Sequence, residues 1–253
     1  MIANPLRPRP RAALLAASLL LTGCGGTAAL DGAGADRTPA AVSPAPSAPA
    51  PAAAARTVPQ RIPGLGPKTW SQVPGDARQA VVVTGAGKNS PLSTVVLYRR
   101  TEAGWQAGER WPAHNALRGW SDHHMGGDLR SPIGVYGLTD AGGLLPDPGT
   151  RLPYDHGRGF RSPGTGFQGE SLEGSFDYVI AVNYNRTPGV SPLDWTRPLG
   201  AGRGGGIWLH VDHGGPTHGC VSVAERHMKE LLRALDPALH PVAVMGDHAS
   251  LAH

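Results

Sequence analysis

Cysteine is nearly absent from this 253-residue chain: Cys24 and Cys220 are the only two, and almost 200 residues separate them. That scarcity excludes a disulfide-built scaffold and a zinc module of paired Cys-x-x-Cys ligands. Aromatic residues are as unevenly spread. None of the Trp, Tyr or Phe residues precedes Trp70, so the preceding stretch has little with which to build a core. Long apolar runs are missing too. Ala12–Leu21 is ten residues, whereas a membrane-spanning helix needs ~20. Charged residues make up only 17% of the chain, and no basic stripe of the kind that binds nucleic acid is present. There is no internal repeat.

What is present begins with Arg7, Arg9 and Arg11 ahead of that short apolar run, the pattern of a secretory leader over residues 1–23. Its end, Leu21-Thr22-Gly23-Cys24, resembles the bacterial lipobox, whose cysteine is lipidated and becomes the mature N-terminus. The resemblance implies a lipid on Cys24, export, and attachment to the outer face of the cytoplasmic membrane, facing the cell wall. The alternative is ordinary cleavage that leaves a free Cys24. A lipidated Cys24 has no thiol to pair with, which leaves Cys220 as a lone thiol in an exported chain, more often reactive than structural. Loss of the three leader arginines takes the formal charge from +4 to +1. Residues 24–65 are rich in Ala, Pro and Gly and read as a tether. Residues 66–248 hold the aromatics and read as one folded domain, with 249–253 as a tail.

Within the domain, β-branched runs predict strands at Ala80–Gly85, Ser93–Arg100, Gly134–Thr139, Asp177–Tyr184, Gly206–Val211 and Pro241–Gly246. Thr101–Trp105 reads as a hairpin turn into another short strand. One helix is predicted. Ser222 and Glu225 have capping-box spacing, and Met228, Leu231, Leu232 and Leu235 follow at helical period until Asp236-Pro237. A mainly β domain with one or a few small helices is expected, one of them starting two or three residues after Cys220.

The stretch HVDHGGPTHGCVSV (His210–Val223) concentrates the chemistry. A thiolate is the attacking form of cysteine, and a helix N-terminus close after Cys220 favours an anion there. His210, His213 and His218 are three candidate bases. The backbone N–H groups beside Gly219 are candidate oxyanion donors. Together these parts fit acyl transfer by a thiol. The rival is a metal site drawing on His210, His213, His218 and Cys220, against which stands the absence of paired ligand spacings. A second polar cluster, Asp122, His123, His124 and Asp128, reads as a surface loop or, alternatively, as a wall of the same cleft.

Thr217-His218-Gly219-Cys220 resembles the Ser/Thr-His-Gly-Cys motif of the L,D-transpeptidase catalytic domain of bacterial cell walls. His210 in IWLHV matches the family's upstream histidine. Asp128–Leu138 (DLRSPIGVYGL) resembles its Thr-Pro-x-Gly-x-Tyr/Phe strand, with Ser131 in place of Thr. The resemblance covers roughly Ala80 to Val244 and implies a β-sandwich of mixed sheets with one helix directly after the cysteine. It implies Cys220 as nucleophile and His210 as proton donor and acceptor, in preference to His218 and His213. It also implies Thr217, His218, Gly219 and Ser222 around the oxyanion and substrate, with Ser222 alternatively a helix cap and His213 a solvated loop residue. The partners it implies are peptidoglycan stem peptides, a donor tetrapeptide and an acceptor amine, joined as a 3→3 cross-link with release of D-alanine and no cofactor or metal. Water as acceptor gives an L,D-carboxypeptidase; an inactive peptidoglycan-binding lipoprotein is the non-enzyme alternative. Two departures stand out: only six residues lie between His210 and Thr217, and Ser222 replaces the Asn or Arg frequent two places after the cysteine.

Overall fold

The computed structural model describes residues 58–253; the leader, Cys24 and the Ala/Pro/Gly-rich segment up to residue 57 lie outside them. The elements are α1 (Pro67–Ser71), β1 (Gln79–Gly85), β2 (Leu92–Thr101), β3 (Gly104–His114), β4 (Trp120–Ser121), β5 (Ser131–Pro132), β6 (Gly134–Gly143) and β7 (Tyr154–His156). There follow β8 (Val179–Val182), β9 (Trp208–Val211), β10 (Val221–Val223), α2 (Glu225–Ala234), β11 (Val242–Asp247) and α3 (His248–Leu251). Each predicted run of β-branched residues lies on a strand. The hairpin at Thr101–Trp105 joins β2 to a β3 of eleven residues, longer than expected.

Nine strands form one sheet in the order β11-β1-β2-β3-β10-β9-β8-β6-β7, and β11 also pairs with β6, so the sheet closes into a barrel-like sandwich. Period-2 alternation explains why strands β1, β2 and β11 are apolar on consecutive positions. Val81, Val83, Val95, Leu97, Ala243 and Met245 face the main core. Their neighbours Ala80, Val82, Val96, Tyr98, Val242 and Val244 face a second, smaller core on the other side. Helix α2 supplies Met228, Leu231 and Leu232 to the main core, as its period predicts, and Leu235, its extended C-cap residue, joins them there.

The second core corrects both domain boundaries. Ile62, only 1% exposed, and Leu251 are part of it. The Pro59 carbonyl accepts the Trp105 N–H at 2.8 Å, and Gln60 Nε2 donates to the Ala103 carbonyl at 3.0 Å. At the other end the Thr69 N–H donates to the His253 carbonyl at 3.0 Å. Residues from Val58 to 65 and from 249 to 253 therefore belong to the packed unit, not to a tether or a tail. The proline and small residues that suggested a tether run straight into the apolar Ile62 and Leu65 that cover the sheet.

The start of α2 is also corrected. Its N-cap position is Ala224, with no side-chain cap, and Ser222 lies inside β10. A strand therefore separates Cys220 from the helix, because pairing of Ser222 with both His114 and His210 outweighs a local capping preference.

Candidate active site

Two parallel strands bring the sequence motifs together. In the pairing of β9 with β10, Leu209 stands opposite Val221, His210 opposite Ser222 and Val211 opposite Val223. Leu209, Val221 and Val223 face the main core. Alternation turns His210 and Ser222 to the opposite face, and Cys220, two residues before Ser222, projects there as well. His210 and Cys220 consequently line one cavity of about 110 Å³.

Cys220 is held from several directions. Its thiol donates to the Gly206 carbonyl at 3.5 Å and its sulfur accepts the Trp208 N–H at 3.4 Å. Its own carbonyl accepts the hydroxyls of Thr217 at 2.6 Å and Ser131 at 3.3 Å. Ser131 is in turn fixed by the Ala116 N–H at 3.1 Å. The SPIGVY motif thus sits beneath the thiol, and Thr217, buried and bonded to the Cys220 carbonyl, positions the loop while also lining the cavity that His210 and Cys220 share. Gly219 is packed so that an added Cβ would lie 3.0 Å from Ile207 Cδ1. Among the described residues no acceptor takes the N–H of Gly219 or Cys220, which leaves both as donors beside the sulfur. His218 is exposed, its ring 4.5 Å from that of Phe167 at the rim.

His210 is 2% exposed. Its Nδ1 lies 2.9 Å from the Val211 carbonyl, which can only accept, so Nδ1 carries the hydrogen and Nε2 is left deprotonated. Phe176 meets the ring edge-on at 5.2 Å and His213 stacks parallel to it at 5.8 Å. Burial pulls the His210 pKa down to about 4. Burial likewise pushes the Cys220 thiol up to about 11, opposed in part by the Trp208 N–H. Near neutral pH the resting pair is therefore thiol and imidazole. The expectation that a helix N-terminus favours the thiolate fails, because β10 keeps α2 away.

Three further expectations change. His213 is no solvated loop residue: its side chain is 5% exposed, with Nδ1 3.2 Å from Glu170 Oε1. Ser222 neither caps a helix nor meets a substrate; its hydroxyl donates to Asp212 Oδ1 at 2.6 Å. The same oxygen lies 2.8 Å from His114 Nδ1. Burial alone raises a carboxyl pKa, but the hydrogen bonds from His114 and Ser222 hold Asp212 at about 2, and the Asp212 bond raises that of His114. The third concerns the Asp122–Asp128 cluster, which is not simply a surface loop. His124 is buried behind the loop that carries Gly219 and Cys220, edge-on to Tyr184 at 5.2 Å and with Nδ1 3.0 Å from Asp128 Oδ1.

Sequence reasoning had missed His114, Asp212, Trp208 and Gly206 as parts of the site. Asp212 had a signal in its place two residues after His210; His114 is brought in only by the pairing of β3 with β10.

The family profile of the L,D-transpeptidase catalytic domain, YkuD, matches residues 77–244. No curated protein matches the chain. Among solved structures, that of Bdellovibrio bacteriovorus Bd1075 is similar over 70% of this chain and 52% of that one, with 17% identity and a TM-score of 0.36. This chain thus spans about half the length of that structure's chain. The residues matched by the profile take in the barrel from β1 to the middle of β11, and with it the cavity shared by His210 and Cys220; the chain belongs to the L,D-transpeptidase catalytic domain family.

Proposed function

We propose that Cys220 is the nucleophile and His210 the proton carrier of an L,D-transpeptidase acting on peptidoglycan stem peptides. The observation that supports this reading most is the one cavity lined by both a buried imidazole with Nε2 deprotonated and a half-buried thiol. Since the resting pair is neutral, the proton leaves sulfur as sulfur attacks. His210 Nε2 takes it, and the Cys220 sulfur bonds to the carbonyl carbon between the third stem residue, a diamino acid, and D-alanine. The oxyanion that forms is received by the N–H groups of Gly219 and Cys220. The C–N bond then breaks, the D-alanine amine takes the proton from His210, and a thioester remains. An acceptor amine gives its proton to His210 and attacks the thioester carbon. Sulfur departs and regains the proton, and a 3→3 cross-link results.

The experiment is incubation of the purified chain with muropeptide tetrapeptides, read by mass spectrometry. A cross-linked dimer with free D-alanine is expected. Tripeptide without dimer would make water the acceptor and the protein an L,D-carboxypeptidase. No product at all would leave peptidoglycan binding as the function. Lipidation of Cys24, and with it attachment to the outer face of the membrane, is part of the same proposal. It is supported by the sequence Leu21–Cys24 and tested by the intact mass of membrane-extracted protein, where an unmodified Cys24 thiol refutes it.

A further inference from the structure

Cys220 borders a second cavity, of about 340 Å³, that Phe176 and Trp208 wall and that extends to Arg197 and the backbone of Gly205 and Gly206. Arg197 does not line the smaller cavity, and His210 does not line this larger one. Imidazole and guanidinium therefore stand on different sides of the sulfur.

Arg197 is built into its position. Its Nη1 donates to the carbonyls of Asp194 at 3.0 Å and Thr196 at 2.9 Å, and its guanidinium lies 5.0 Å from the Trp195 ring centre. It occupies the space a side chain at Gly205 would need, since a Cβ there would collide with Nε. Its Nη2 is 3.6 Å from where a Cβ at Gly206 would be, and Gly206 is the residue whose carbonyl takes the Cys220 thiol hydrogen. Among the described residues, the arginines paired with a carboxylate are Arg151 and Arg186; Arg197 has no such partner. Burial accordingly lowers its pKa, with Asp194 opposing only from a distance. With Nη1 engaged by those two carbonyls and Nε packed on Gly205, Nη2 is the edge that no acceptor takes among the described residues, and a guanidinium N–H beside a cavity receives a carboxylate through a charge-assisted hydrogen bond.

The proton path decides which part of the substrate meets it. His210 must reach the leaving amine, so D-alanine lies on the His210 side and the acyl residue with its side chain lies on the Arg197 side. We propose that Arg197 determines donor specificity by receiving a carboxylate borne on the acyl side, so that the third stem residue is one whose side chain ends in a carboxylate. Phe176 and Trp208 suit the methylenes that lead to it, and Trp195, 82% exposed, stands beside the arginine. This inference rests on the reaction proposed above.

The test uses the full chain carrying Cys220→Ala, so that binding is read without turnover. Three tetrapeptides differ only at the third residue: diaminopimelyl, diaminopimelyl with its side-chain carboxylate as carboxamide, and lysyl. Calorimetric titration should give the carboxylate peptide an affinity at least about tenfold above the other two, the scale of one charge-assisted contact. Adding Arg197→Gln should reduce that preference to within about threefold at an unchanged unfolding midpoint, and Arg197→Lys should restore part of it. Equal binding of the three peptides to the Arg197-containing protein overturns the inference, as does absence of binding by all three. Preference that survives Arg197→Gln overturns it too. Should Arg197→Gln fail to fold, the Arg197→Lys protein is read in its place, and a preference as large as in the Arg197-containing protein refutes the assignment. Failure of the wild type to release D-alanine would refute the reaction and leave this comparison of affinities intact.

Discussion

At Cys220 the same burial that positions the sulfur also withholds its charge. A thiol at about 11 carries on the order of 100-fold less thiolate near neutral pH than a cysteine at its ordinary value. Alkylation of Cys220 by iodoacetamide should rise about tenfold per pH unit from 7 to 10 without levelling; a plateau near pH 8 would contradict a thiol that rests neutral. His210, pulled down to about 4, stays neutral and able to accept a proton well below the range of an ordinary histidine. The acid limb of D-alanine release should therefore fall near pH 4 and not near 6.5. Cys220→Ala should abolish acylation and turnover. His210→Ala should cripple both, and higher pH should restore alkylation more than D-alanine release, whose leaving amine still lacks an acid. His213→Ala, expected from sequence to be silent, should instead move the acid limb upward. The ring stacked on His210 adds to the effect of burial on its pKa.

Strand β10 is a short element with a large consequence. Three residues long, it is gripped by β3 and β9, and its middle residue, Ser222, joins Asp212 and His114 across them. The pH window of this cluster follows from the shifts. Asp212, depressed to about 2, stabilises the fold above its ordinary carboxyl range and loses that contribution as pH falls through about 2. His114, raised, contributes below its ordinary range and loses that contribution as pH climbs through its raised value. The cluster is worth most between those limits. Ser222→Ala should cost about 1.5–3 kcal/mol at pH 6 by urea unfolding, with a smaller cost at pH 2. Glu225→Ala should cost about 0.5 kcal/mol or less, since Glu225 is itself exposed and holds only Lys229, one turn along the helix. Comparable losses from the two, near 1 kcal/mol each, would mean a capping box after all.

The same strand marks the limit of legibility. Long runs such as Val81–Val83 and Val95–Leu97 announce themselves because β-branched residues at period 2 leave few alternatives. The thiol motif, the upstream histidine and the period of α2 were equally plain. β4, β5, β7 and β10 have two or three residues each, and their conformation is imposed by partners far away in sequence. His114 and Asp212 are 98 positions apart, and no local pattern joins them. Where a local rule and a distant pairing compete, as at Ser222, the pairing prevails.

At the scale of the molecule, the described chain starts by covering its own sheet. Ile62 fills the second core between β1, β2 and α3. Ile62→Ala should lower stability by about 2–5 kcal/mol, read as a shift in the urea midpoint with the slope unchanged. A chain beginning at Leu65 should lose at least as much, against the expectation that residues 24–65 are a tether. An unchanged midpoint in both would restore the tether reading up to residue 65.

Closure of the barrel has a consequence in time. Strand β11 lies between β1 and β6, parallel to the first and antiparallel to the second, yet it is the last strand among the described residues. A ribosome delivers β1 some 160 residues before its partner, so β1 and β6 wait with open edges until β11 has been made. Pairing across that separation carries a large loop-closure cost and makes for slow folding. The thiol of Cys220 is made before the strand that closes the fold around it. A chain interrupted before Val242 would carry every residue of the catalytic motif and still present two raw sheet edges to its neighbours.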